Sequence, residues 1–311
     1  MPAPEPPICS YEGSDYQSSF WERGGRDYED QVEAIALRRL LPHGGGLLLE
    51  LGAGAGRNTP RYEGFRRIVL LDFSRTQLEQ AQARLGNSDR YIYVAADVYR
   101  LPFVDGLFDA ATMIRVLHHM ADAPRALRQV RDALKPDGVF ILEFANKRNL
   151  KAILRYWLRL QKWNPFDAEP VEFAALNFDF HPGRVQSWLE ALGLRVQRTL
   201  TVSHFRAQGL KKLVPLRLLV FMDSLLQPTG ALWQYTPSVF IRARGGNPIA
   251  RNVPADADPV SMFSCPACRT APLKDATGSL VCSRCGAQWA STDGIFDFRE
   301  PVARVATAGQ H

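Results

Sequence analysis

The chain has 311 residues, a formal net charge of +6, 46% hydrophobic and 23% charged residues. That length exceeds one small core and fits one large domain plus a module, and the composition is that of an ordinary globular protein. The charge permits an anionic partner without requiring one. No stretch is long and apolar enough to span a bilayer, because the best, Leu213 to Leu226, is interrupted by Pro215, Arg217 and Asp223.

Residues 1–15 are rich in Pro and small polar residues and read as a disordered tail. They carry no export signal, so a cytoplasmic protein is expected. Trp21 to Leu41 follows helical spacing and ends at Pro42-His-Gly-Gly-Gly46. If this helix covers the turn that follows, Tyr16, Trp21, Arg26 and Tyr28 come within reach of a ligand, although packing alone accounts for them. The run Leu47–Leu51 reads as a buried parallel strand. It ends in Gly52, Gly54 and Gly56, which can take positive φ and let a ligand lie against the backbone. Arg67–Asp72 is the second strand, Thr76 to Leu85 a helix with Ser74 as its N-cap, and Tyr91–Ala95 the third strand, ending at Asp97. Ala110–Val116 is the fourth strand, Ala123 to Leu134 a helix closed by Lys135-Pro-Asp-Gly138, and Val139–Phe144 the fifth strand.

This alternation implies an α/β fold, a parallel sheet with helices on both faces. Ligands of such sheets lie beyond the carboxyl ends of the strands. Gly52, Asp72, Asp97, Arg115 and the Glu143–Asn146 turn all fall at such ends and should converge on one crevice. Past Ala145 the pattern changes. Asn146 to Trp163 reads as a long amphipathic helix with Lys147, Lys151, Arg155, Arg159 and Lys162 along one face, suited to RNA phosphates, an anionic membrane surface or plain solvent. Pro165 to Pro182 is an irregular insert carrying Phe166, Phe173, Phe178, Phe180 and His181. A helix over Val185 to Leu192, a strand over Arg195 to Val202, a helix from about Leu210 to Leu226 and a strand over Ser238 to Ala243 follow. The domain is placed at residues 16–246, a linker at 247–261, a small module at 262–300 and a polar tail at 301–311.

A strand, a glycine turn and a carboxylate ending the second strand serve two ligand classes, dinucleotides and S-adenosylmethionine, with the carboxylate accepting from ribose hydroxyls in both. Glu50 separates them. A carboxylate just before the turn repels a pyrophosphate and attracts a methionine ammonium and sulfonium. Asp97 is then placed to accept from an adenine amino group.

These motifs resemble a known family. Glu50-Leu-Gly-Ala-Gly-Ala-Gly56, Leu71-Asp-Phe-Ser74, Ala96-Asp97 with Leu101-Pro-Phe103, Phe108-Asp109 and Leu134-Lys-Pro-Asp-Gly138 look like class I S-adenosylmethionine-dependent methyltransferases of the methyltransferase type 11 kind. The resemblance implies a seven-stranded, mostly parallel Rossmann-like sheet whose last strand, Ser238–Ala243, is antiparallel. It implies that Gly52, Ala53 and Gly54 line the methionine moiety with Glu50 nearby, that Asp72 binds ribose and Phe73 lies along the adenine, that Asp97 and Val98 meet the adenine edge, and that Arg115 follows at the end of the fourth strand. It does not imply a substrate. The fourth strand is followed by Ile114-Arg-Val-Leu-His-His119, not by the Asn-Pro-Pro-Tyr motif of base amino methylation. His118 and His119 are the candidate general bases, with Glu143 and His181 behind them.

Cys9 stands alone. Cys265, Cys268, Cys282 and Cys285 form two Cys-x-x-Cys turns thirteen residues apart, the spacing of a closed tetrahedral Zn²⁺ site with a structural role. The stretch resembles zinc ribbons of the Trm112-like type, here fused in cis. The expected activity is methyl transfer to a small or lipid-like acceptor. An RNA methyltransferase and a cofactor-binding regulator without turnover are the alternatives.

Overall fold

Leu47, Leu49 and Leu51 point to one side of the central strand and Leu48 to the other, and both sides are buried. The computed structural model describes residues 5–14, 19, 21, 23–251 and 253–304. The central strand is β1 (Gly45–Leu51), flanked by β2 (Phe65–Asp72) and β4 (Phe108–Met113), with β3 (Tyr91–Ala95) beyond β2 and β5 (Leu134–Ala145) beyond β4. These five are parallel. β9 (Ser238–Arg244) is antiparallel to β5, and β8 (Arg195–Val202) is antiparallel to β9. Leu51 stands beside Leu71 and Met113, and Asp72 beside Ala95, so the turns at Gly52, Phe73, Asp97 and Ile114 leave the sheet along one edge.

Local signals fix the helices. The Ser74 hydroxyl accepts from the Gln77 N–H at 3.2 Å and starts α2 (Arg75–Leu85). Asp122 does the same for α3 (Ala123–Ala133), accepting from Arg125 at 3.1 Å. α1 (Asp27–Leu40) lies against the opposite face of the sheet from α3.

The sheet is larger than the seven strands expected. Four short antiparallel strands of the C-terminal module, β10 (Lys274–Ala276), β11 (Ser279–Val281), β12 (Ala287–Thr292) and β13 (Ile295–Asp297), extend it, and β14 (Ala303–Arg304) pairs with β12. β13 runs parallel to β3, with Ile295 opposite Tyr93. The module therefore shares the domain's sheet and core instead of hanging from a tether. Phe263 is buried, with its ring 5.8 Å from Phe103, 4.8 Å from Phe296 and 4.9 Å from Phe298. The expected linker is also docked: Arg251 N–H donates to the Gly106 carbonyl at 2.9 Å, and Arg67 donates to the Ala257 carbonyl at 2.6 Å.

Three further expectations change. The helix expected over Asn146 to Trp163 is only α4 (Leu150–Trp157). Asn149 caps it, accepting from Ala152 at 3.0 Å, while the Asn146 side chain donates to the carbonyls of Gln234 and Thr236 and holds the preceding turn out of helix. Of the five basic residues, only Lys151 and Arg155 lie on α4; Lys147 is buried and pairs with Asp167. The helix expected from Leu210 to Leu226 breaks at Pro215 into α6 (Gln208–Leu213) and α7 (Leu216–Leu226), because proline drives Val214 out of the helical region. Residues 5–14 pack on the domain rather than trailing as a tail, and most of the expected 301–311 tail lies outside the described residues. The insert forms a hairpin, β6 (Val171–Ala174) and β7 (Asn177–Asp179), followed by α5 (Pro182–Ala191).

A continuous core makes the module part of one folding unit. Phe263→Ala is expected to cost about 3–5 kcal/mol while leaving a single urea transition by both tryptophan fluorescence and circular dichroism. Two separated transitions would contradict the shared core.

Candidate active site

The aligned strand ends open on a crevice with about 1050 Å³ of empty space, its mouth included. Its floor is the glycine turn. Gly52 has φ 62°, and a Cβ there would sit 2.2 Å from Val116 Cγ2. Gly54 has φ 53°, and a Cβ there would meet no atom closer than Gln77 Oε1 at 3.9 Å. The first glycine is required by packing as well as backbone; the second leaves room beside the turn. Asp72 ties the turn to the end of β2. Its Oδ2 accepts from the Gly54 N–H at 2.8 Å and its Oδ1 from the Ser74 N–H at 2.9 Å. Burial nevertheless pushes this carboxyl above the usual range.

Glu50, Gly52, Ala53, Gly54, Asp72, Phe73, Asp97, Val98 and Arg115 all line this one crevice. Asp97 Oδ1 accepts from the Tyr99 N–H at 2.8 Å. Glu50 is buried among polar partners the sequence reading did not single out: Thr59 Oγ1 donates to it at 2.6 Å and the Tyr62 hydroxyl at 3.2 Å. Burial outweighs those bonds and lifts its pKa to about 7. Thr59 is a polar residue three places past the last glycine, and that adjacency is the one sequence signal that pointed to it.

Arg115 has φ 60° and donates its N–H to Glu143 at 2.9 Å. Its guanidinium bonds Glu33 at 2.8 Å and 2.5 Å. Arg57 reaches the same Glu33 at 2.9 Å, and both guanidiniums lie over the Trp21 ring, at 4.8 Å and 3.6 Å from its centre. Burial alone would raise the Glu33 carboxyl, but the two arginines hold it down at about 2. Trp21 lines the crevice; Arg26 and Tyr28 do not. Tyr28 is buried with its hydroxyl on Asp223 at 2.6 Å, and Tyr16 lies outside the described residues.

The two histidines part company. His119 lines the crevice and His118 does not. His119 Nδ1 is 3.0 Å from the Leu176 carbonyl and its Nε2 is 3.2 Å from the Tyr11 hydroxyl. A carbonyl only accepts, so Nδ1 carries the proton and Nε2 is the accepting nitrogen. Burial lowers the pKa and keeps the ring neutral. The His118 ring lies tilted against it, centres 4.0 Å apart, with Nδ1 buried and unpartnered. Glu143 is buried, accepting from Arg115 and from Ser238 Oγ at 2.6 Å, and His181 caps α5 by accepting from Gly183 at 3.2 Å. Both therefore have structural work and neither lines the crevice.

The N-terminal strap was not anticipated as part of the site. Ile8, Cys9 and Tyr11 close one wall, and Glu12 accepts from the Arg75 and Thr76 N–H groups at 3.0 Å and 3.1 Å. Arg299 of the module bonds Glu12 at 2.9 Å and reaches the Phe73 carbonyl at 3.4 Å. Further off, the Sγ atoms of Cys265, Cys268, Cys282 and Cys285 lie within 4.8 Å of one another. The pairs at 3.6 Å and 3.5 Å are too far apart for a disulfide and close to the edge of a thiolate tetrahedron around a metal.

A methyltransferase domain family matches residues 49–142, from β1 through β5. The demethylmenaquinone methyltransferase of Clavibacter sepedonicus is 30% identical over 183 residues, covering 58% of this chain and 72% of that protein. The chain belongs to the class I S-adenosylmethionine-dependent methyltransferases. The 2-phytyl-1,4-naphtoquinone methyltransferase of Trichormus variabilis is 35% identical over 113 residues, 34% of this methyltransferase and 49% of that protein. A solved complex between the Haloferax volcanii Trm112 methyltransferase activator and a methyltransferase shares the fold, with a TM-score of 0.53 and 16% identity over 74% of this chain and 96% of the solved one.

Glu50 gives this methyltransferase a measurable pH signature. An acid whose folded pKa lies above its unfolded value makes the native state lose stability as pH rises between the two, here from about 4 to 7. Glu50→Gln is therefore expected to melt higher than the parent at pH 8, with the difference shrinking toward pH 4.5. Equal melting temperatures at pH 8 would contradict a buried, reluctantly ionised Glu50.

Proposed function

We propose that this methyltransferase acts on a small, lipid-like acceptor, with His119 as the general base and the cysteine module held by a structural Zn²⁺. In this reading Asp72 accepts from the donor's ribose hydroxyls. Glu50 faces the methionine ammonium while Gly52, Ala53 and Gly54 line the methionine chain. Phe73 lies along the adenine, and Asp97 and Val98 meet its edge. Arg115 acts through its position after β4, with its guanidinium bound into the Glu33 cluster. The bound donor supplies a methyl carbon on a sulfonium, open to in-line displacement, so the chain's own task is alignment and, where the nucleophile carries a proton, its removal.

The observation that carries the reading is the state of His119: neutral, fixed by Leu176 and Tyr11, and set in the crevice beside Ile114, Val116 and Met120. An apolar wall and one accepting nitrogen, occupied by the Tyr11 hydroxyl until an acceptor hydroxyl replaces it, suit an acceptor that is largely apolar and loses one proton. The relatives named for demethylmenaquinone and a phytyl naphthoquinone support a quinol-like ring as the first class to test. The four thiols, in a closed set, suit Zn²⁺ with no position open for substrate.

Incubation with labelled donor and separated lipid, small-molecule, RNA and protein extracts is expected to label the lipid fraction. His119→Gln is expected to lower kcat by about a hundredfold or more with donor affinity unchanged. Label confined to RNA, or full activity in His119→Gln, would overturn the reading.

A further inference from the structure

α7 is apolar on both sides, with Leu216, Leu219 and Val220 packed on the core. Its inward side carries Leu219 and Asp223, both buried, and the Asp223 carboxylate accepts from the Tyr28 hydroxyl at 2.6 Å and the His204 N–H at 2.7 Å. Its outward side is Leu218, Phe221, Met222, Leu225 and Leu226, an i, i+3, i+4, i+7, i+8 stripe with Phe221 58% and Leu225 62% exposed. A surface helix of a globular protein normally turns polar residues outward.

The exposed apolar surface continues past α7. Leu232, Trp233 and Tyr235 are exposed in the segment that follows it. That segment meets the start of α4: the Leu150 N–H donates to the Tyr235 carbonyl at 2.8 Å, and the Arg148 guanidinium lies 5.7 Å from the Tyr235 ring centre. On α4 the outward stripe is Leu150, Leu154 and Trp157, with Leu158 just beyond. Surfaces of this extent mark interaction sites.

Charge identifies the occupant. Residues 146–166 contain no acidic residue, and residues 203–238 contain one, the buried Asp223. Lys151, Arg155, Arg159 and Lys162 are exposed on the first segment, Lys212 and Arg217 on the second. Asp167 and Glu169 are exposed just past the first segment and pair with Lys147 and Arg184. Leucine and aromatic side chains flanked on these two segments by exposed cations match the boundary of an anionic bilayer, where the apolar groups enter the acyl region and the cations meet headgroup phosphates. A second copy docking by the same face would set like charges against each other.

We propose that the outward faces of α4 and α7, joined through residues 232–235, seat this methyltransferase on an anionic phospholipid surface. The inference rests on these faces alone and does not need the acceptor proposed above. It is tested by co-sedimentation of the full chain, purified with its metal, with vesicles of 1:1 phosphatidylglycerol and phosphatidylcholine and with phosphatidylcholine alone. Binding is expected to the anionic vesicles, weakened by high salt and about tenfold or more lower on the neutral ones. Lys151→Gln with Arg155→Gln should lose about twenty-fivefold, roughly fivefold per charge. Phe221→Gln with Leu225→Gln should lose about tenfold or more. Melting temperature and donor binding, measured on the same variants, should stay at parental values, which separates lost docking from lost folding. No sedimentation with anionic vesicles, equal partition into both lipids, or a dimer in sedimentation velocity that the Phe221/Leu225 variant splits, would overturn the proposal.

Discussion

One carboxylate organises the crevice of this molecule. Asp72 ends β2 and accepts from the N–H groups of Gly54 and Ser74, so a single side chain fixes the glycine turn after β1 and the approach to α2. Such bonds to an ionised acceptor are stronger than neutral ones. They hold the carboxylate in a buried position that otherwise disfavours its charge. A carboxylate has about four acceptor sites, so Asp72 can fix the backbone and still meet donors in the crevice. The parallel register does the rest, because it delivers Gly52, Asp72, Asp97 and Arg115 to one edge.

The same register gives the cysteine module a path to the site. β13 pairs with β3 in parallel, so the chain leaves β13 at the ligand edge of the sheet. The Phe298 N–H donates to the Ala95 carbonyl at 2.7 Å, and Arg299 then reaches both Phe73 and Glu12. An antiparallel β13 would have sent Arg299 to the far edge. The module thus does more than buttress the fold: it pins the strap that carries Tyr11, and Tyr11 is one of the two groups that orient His119.

The parts legible in the sequence were those set by local rules. The strand over Tyr91–Ala95 and the Ser74 cap could be placed because a doubly buried strand is a continuous apolar run and a cap is a short pattern. The convergence of the crevice residues followed from strand order. Apart from the break at Pro215, which is a local signal, what failed depended on distant contacts. Periodicity over Asn146 to Trp163 could not register that Asn146 would bond residues 234 and 236, leaving Asn149 to start a shorter helix. The strap looked structureless because Glu12 finds its partners more than sixty residues away. His118 and His119 are adjacent in sequence, and two distant partners, Leu176 in the hairpin turn between β6 and β7 and Tyr11 in the strap, distinguish them.

In the proposed reading this crevice, through Asp72, holds the adenosyl donor. Calorimetric titration of S-adenosylmethionine into the full chain tests it most directly. One site per chain is expected, with affinity lower by about tenfold or more in Asp72→Asn, which loses a charged acceptor. No heat with the folded parent, or equal affinity in Asp72→Asn, would contradict it.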